Sequence, residues 1–201
     1  MAAQRTSKRF GSIVGVAFAA VLAASSLAAC ATPAQGPAPH STEVSPSGDI
    51  PDNQAFVQFT AADGSFSVTV PEGWSQTSSG SAVSFTDKLN SITVDRSAVA
   101  TAPTVDSATK NEVASLSAAA TNFSLTDVKP FTRTGGEGIL ITYLADSTVN
   151  SVTGSATQNQ VEEYLFWRGG QQVTMTLASP KGADNVDPWA KVTGSFTWLT
   201  K

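Results

Sequence analysis

The stretch Tyr164-Leu165-Phe166-Trp167-Arg168-Gly169-Gly170-Gln171-Gln172-Val173-Thr174-Met175-Thr176-Leu177 decides how this chain of 201 residues folds. Val173, Met175 and Leu177 alternate with Gln172, Thr174 and Thr176, the period of a strand with one apolar face. Tyr164 to Trp167 is apolar at every position, as a central strand covered on both sides must be. Gly169-Gly170 between the two runs is a tight-turn signal, so they predict an antiparallel hairpin.

The neighbouring sequence extends the sheet. Gly138-Ile139-Leu140-Ile141-Thr142-Tyr143-Leu144 is again apolar on both faces, and Gly135-Gly136 separates it from a strand expected around residues 127–132. Period-two alternation recurs at Phe66, Val68 and Val70, at Val83 and Phe85, and at Ile92 and Val94. Between the strands, Pro103-Thr104-Val105-Asp106 signals a helix start. Thr109, Val113, Leu116 and Ala120 follow at helical intervals, which predicts one long helix lying on the sheet. Asp187-Pro188 reads as a cap followed by a first-turn proline, opening a short helix with Trp189, Val192 and Phe196 on one side. The expected class is α+β, an antiparallel β-sheet flanked by helices, over residues 55–201.

The N-terminal part reads differently. Arg5, Lys8 and Arg9 precede an apolar, alanine-rich run from Ile13 to Leu27. At about 15 residues that run is short of the roughly 20 a spanning helix needs, and the order is that of a signal peptide over residues 1–29. It ends in Leu27-Ala28-Ala29-Cys30, which resembles the lipobox of bacterial lipoproteins. The resemblance implies cleavage before Cys30 and lipidation of its thiol, and hence a chain fixed by acyl chains to the outer side of the cell membrane. Each buried methylene contributes about 0.8 kcal/mol, so two chains anchor stably where one does not. Ser7-Lys8-Arg9-Phe10 departs from a twin-arginine signal, which favours the general secretory route.

Residues 30–54 carry five prolines among Ala, Ser, Gly and Thr, and predict a disordered tether with a span of roughly 25–30 Å. His40, the one histidine, lies within it, where nothing positions partners for base or metal chemistry. Removing residues 1–29 takes away three of 12 basic residues and none of 16 acidic ones, a formal charge of −7. Such a chain lacks the basic footprint that nucleic acid or an anionic bilayer face demands. No cysteine remains after Cys30, so no disulfide supports the fold.

Phe66-Ser67-Val68-Thr69-Val70-Pro71-Glu72-Gly73-Trp74 resembles the opening of the PsbP-like fold, in which a strand runs into a Pro-x-Gly-Trp turn. The likeness extends through the helix at 104–121 and the meander to Leu177-Ala178-Ser179-Pro180 and Phe196. That family includes the extrinsic lumenal subunit of photosystem II, a Ran-binding protein of eukaryotes and bacterial lipoproteins of the LpqN type. The resemblance implies a binding or assembly protein.

Catalytic constellations find little support. Ser107-Ala108-Thr109-Lys110 matches the Ser-x-x-Lys of penicillin-binding enzymes, but their Ser-Asp-Asn and Lys-Thr-Gly partners are absent, and an exposed helical turn accounts for it. Glu162 and Glu163 point to opposite faces of a strand, so they form no acid/base pair and read as solvated charges. Asp184, Asn185 and Asp187 lack EF-hand spacing and read as helix capping. The glycine pairs lack the lysine and helix start of a phosphate loop. No metal, cofactor or catalytic residue is therefore expected. Trp74, Trp167 and Trp189 are the candidate partner-binding residues, since an exposed tryptophan is a strong anchor. The leading expectation is a noncatalytic module for an envelope protein. A carrier of a lipid or other apolar ligand is the alternative, if Ile139–Leu144 and Tyr164–Trp167 line a void, and an envelope enzyme comes third.

Overall fold

The computed structural model describes residues 46–150 and 152–199. Leu27, Ala28, Ala29, Cys30 and His40 lie outside the described residues, so signal peptide and lipobox remain expectations. No helix among the described residues is long and apolar enough to cross a membrane.

Five strands come first: β1 (Phe56–Thr60), β2 (Phe66–Pro71), β3 (Ser75–Ser79), β4 (Ala82–Asp87) and β5 (Asn90–Ala98). Two helices follow, α1 (Val105–Lys110) and α2 (Glu112–Ala119). The chain then forms β6 (Ser124–Arg133), β7 (Gly136–Asp146), β8 (Gln158–Arg168), β9 (Gln171–Pro180), α3 (Val186–Ser195) and β10 (Thr197–Trp198). Seven strands make one antiparallel sheet in the order β3-β4-β5-β9-β8-β7-β6, and β1, β2 and β10 make a second. The expected single sheet is thus two. Phe66, Val68 and Val70 turn away from the large sheet's ladder and bring their apolar face against it.

The expected β8–β9 hairpin is present: Arg168 pairs with Gln171 across a turn in which Gly169 and Gly170 both have positive φ, 55° and 83°. Two-residue turns of that hand match the twist of the flanking strands. At the β6–β7 turn the pairing of Arg133 with Gly136 puts Thr134 and Gly135 at the tip, one residue earlier than the glycine pair suggested.

Alternate residues of the central strands serve two cores. On one face Leu140, Tyr164, Phe166, Val173, Met175 and Leu177 pack with the small sheet and with Trp189, Val192 and Phe196 of α3. On the other, Ile139, Ile141, Tyr143, Val161 and Leu165 lie beneath Ala108, Val113 and Leu116 of the paired helices. The expected long helix is interrupted at Asn111, whose φ of −106° departs from helical values. Its sheet-facing side runs through Ala108 rather than Thr109, whose hydroxyl is exposed and donates back to the Val105 carbonyl at 2.7 Å.

The domain also begins earlier than residue 55. Ile50, expected in the tether, is only 4% exposed and belongs to the first core. Its N–H donates to Asn185 Oδ1 at 2.8 Å, while Asn185 Nδ2 donates to the Gly48 carbonyl at 3.0 Å and to Asn90 Oδ1 at 3.2 Å. Gly48 has φ +97°, and a Cβ there would run into the Pro180 ring. Residues 46–54 therefore form a strap fastened by a buried amide rather than the end of a tether.

Candidate functional site

The three candidate tryptophans separate. Trp189 is buried in the first core, and Trp74 packs against it edge-on with ring centroids 6.4 Å apart. Those two rings are structural, as α3 and the Pro71–Trp74 turn bring them together. Trp167 belongs to neither core cluster. Its Nε1 donates to the Val99 carbonyl at 2.7 Å, which fixes the ring at the wall of an open groove of about 420 Å³. Ala102 and Pro103 before α1, Pro130 of β6, and Glu137 and Ile139 of β7 complete that wall. Trp167 sits there because β8 alternates: Val161, Glu163 and Leu165 share its face, and at the strand's end the paired helices no longer cover it. The rigid indole and the prolines give the wall apolar surface whose ordering cost is small, beside Glu137, while Ile139 is nearly buried.

Glu163 contradicts the expectation of a solvated charge. It lies on the opposite face from Glu162, as alternation requires, but it is 7% exposed and sits among the second core's apolar residues. Its neighbours in the ladder are Ile141 and Thr176, and the Thr176 hydroxyl reaches Oε2 at 3.4 Å. Burial pushes its carboxyl up from 4.5 to about 7, against the Thr176 hydrogen bond and with Glu112 of α2 adding repulsion. Glu112 Oε2 is buried without a hydrogen-bond partner among the described residues. Burial, and then Glu163, raise the Tyr143 hydroxyl well above its ordinary range.

The Glu163 carboxyl makes stability depend on pH. Because the folded state holds the Glu163 proton more tightly than the unfolded state does, stability is highest below pH 4.5 as far as this group is concerned. It falls as pH rises from 4.5 to about 7 and is level above that. Glu163→Gln should leave stability near pH 4 unchanged and raise it at pH 8 by about 2–3 kcal/mol, read from urea midpoints at the two pH values. Equal midpoints at pH 8 would contradict the burial of this carboxylate.

The remaining candidates have other occupations. Ser107 Oγ and Thr104 cap α1 reciprocally, and Lys110 Nζ pairs with Asp106 at 2.7 Å, so the Ser-x-x-Lys residues serve the helix. Asn185 is the residue before α3, yet its side chain makes no capping bond and fastens the strap instead, while the helix starts at Val186, ahead of the Asp187-Pro188 signal. Among the described residues no three His, Cys, Asp or Glu side chains come together as a metal site would require.

No family model matches the sequence, and no curated protein matches it. Among solved structures, cyanobacterial PsbP (CyanoP) from Synechocystis sp. PCC 6803 is similar with a TM-score of 0.50 and 14% identity, over 77% of this chain and 99% of that one. The Ran-binding protein Mog1p of Saccharomyces cerevisiae gives 0.46 and 11%, over 72% of this chain and 95% of that one. A protein from Bacteroides thetaiotaomicron gives 0.44 and 13%, over 72% of this chain and 48% of that one, so this chain spans about half that protein's length. At such identities likeness speaks for fold and not for activity. Antiparallel sheets with helices on the large sheet's faces, a strand ending in the Pro71–Trp74 turn, and the match to the cyanobacterial protein together show that this chain has a PsbP-like α+β fold.

Proposed function

We propose that this protein is an extracytoplasmic lipoprotein of the LpqN type, anchored through Cys30, whose folded domain holds an envelope protein without catalysing a reaction. The observation that carries the docking half of this reading is Trp167, a fixed indole outside both cores at the wall of an open groove of mixed polarity. Aromatic anchors with restricted motion contribute most of the binding energy at protein interfaces. The carrier alternative needed the central strands to line a void. Leu165 and Ile141 pack beneath the paired helices, and Phe166 packs against the small sheet and α3, all fully buried, while Ile139 and Trp167 of the same segments reach an open groove and not an enclosed void.

The test places a photo-crosslinking amino acid at Pro103 or Glu137, on the groove, and at Ser78, on the exposed edge strand, in the full chain expressed in its own cell envelope. The expected result is a discrete adduct with one envelope protein from the groove positions and none from Ser78. Equal labelling from all three, or none from the groove, overturns the docking site. The anchor is tested separately, since Cys30→Ser should release the chain from the membrane fraction, and unchanged sedimentation at unaltered size would refute lipidation.

A further inference from the structure

At the other side of the sheets' ends lies a pocket of about 240 Å³ whose polar groups do not balance. Asp63 and Ser65 come to it from the β1–β2 connection, Trp198 and Leu199 from β10 and the residue after it, and Arg96, Arg168 and Gln171 from the large sheet. Arg96, on β5, and Arg168, on β8, occupy alternate positions that carry the side chains past the first core to its rim.

Asp63 is fully engaged. It accepts from the Ser65 N–H at 3.0 Å and the Ser65 hydroxyl at 2.6 Å, and Arg96 Nη2 lies 2.7 Å from its carboxylate. Arg168 donates from Nη2 to the Leu199 carbonyl at 3.1 Å and rests over the Trp198 ring, 5.0 Å from its centroid. A guanidinium carries five N–H donors in a rigid fork, and these contacts use few of them. The Trp198 indole N–H is buried and has no acceptor among the described residues. Two guanidiniums and a single occupied carboxylate leave the pocket rich in donors and net positive, on a domain that is otherwise strongly acidic.

We propose that this pocket binds a carboxylate borne on an apolar body about the size of one side chain. The forks of Arg168 and Arg96 match a planar carboxylate, and a monoanion balances the pocket's single surplus charge. A phosphate dianion would exceed that charge and face Asp63. The Trp198 ring and Leu199 give the apolar body its contact. Either a free organic acid or the C-terminal residue of a polypeptide carries this chemistry. The inference stands apart from the Trp167 groove and from the anchor.

The experiment follows the four indole N–H signals of the ¹⁵N-labelled folded protein while benzoate, a short peptide ending in alanine, its C-terminal amide and inorganic phosphate are added at matched ionic strength. Saturable movement of the Trp198 signal is expected with benzoate or the free-acid peptide, with the Trp167 signal unmoved. A response to benzoate alone assigns a free acid, and one to the peptide acid alone assigns a chain terminus. Arg168→Gln should weaken the response at least about tenfold, with Arg168→Lys intermediate because it keeps the charge and loses the fork. Arg168 is exposed, so unchanged signals from Trp74 and Trp189 will certify the fold of both variants. The assignment is overturned if no carboxylate saturates the signal, if the amide or phosphate binds as well as the acid, or if Arg168→Gln binds undiminished.

Discussion

Phe166→Ala is expected to cost the domain about 3–5 kcal/mol. The ring is fully buried at the centre of the first core, stacked on Phe196 with centroids 4.2 Å apart and edge-on to Phe131 at 4.9 Å. Phe196 in turn lies tilted against Phe66 of the small sheet, with ring centroids 5.7 Å apart, so Phe166 supports the contact between the two sheets and α3 as well as filling its own volume. Collapse around the cavity is restricted, because the backbone beneath belongs to central β8, hydrogen-bonded on both sides to β7 and β9. Typical domains have only 5–15 kcal/mol of total stability, so the loss should move the urea midpoint far. A shift worth less than about 1 kcal/mol would mean that the two sheets do not pack as described.

The second large effect is expected from Asn185→Ala, which removes the amide holding the strap. Ile50 N–H loses its acceptor, Asn90 Oδ1 loses its donor, and the Gly48 carbonyl keeps only the bond from Asn90 Nδ2 at 2.9 Å. Each buried group left unsatisfied costs about 1–3 kcal/mol. Asn185→Asp should do no better, because it retains an acceptor for Ile50 but sets carboxylate oxygens against the Gly48 and Asn90 oxygens. Hydrogen exchange at the Ile50 amide distinguishes this from a general loss of stability. In Asn185→Ala that amide should exchange through local opening while Met175 and Leu177 stay protected, and equal protection of all three would contradict the latch.

Much of the architecture was legible because it rests on local periodicity. The β8–β9 hairpin follows from Gly169-Gly170 between two strand patterns, and α3 from its apolar spacing. The buried Glu163 was legible in principle, since Val161 and Leu165 flank it at i±2 on an apolar face. Two successive glutamates nonetheless carry the pattern of a charged strand end, because the cover over that face comes from Glu112, Val113 and Leu116, far away in sequence. Ile50 was likewise visible as one large apolar residue in a proline-rich stretch, but its burial depends on Asn185, 135 positions later. The Arg96–Arg168–Trp198 pocket had no sequence signal, as its residues come from three separate strands.

The order of residues alone determined β2, β4, β5 and β6 to β9 as strands, α3 as a helix, which strands are covered on both sides, and the Gly169-Gly170 turn, because each depends on side-chain alternation and backbone freedom within a few positions. Only the tertiary structure decided that β1, β2 and β10 form a separate sheet, that residues 46–54 belong to the fold, that Glu163 is buried, and which tryptophan stands outside the cores. Those outcomes depend on partners distant along the chain, and a residue's own neighbours carry no record of what the folded chain lays over it.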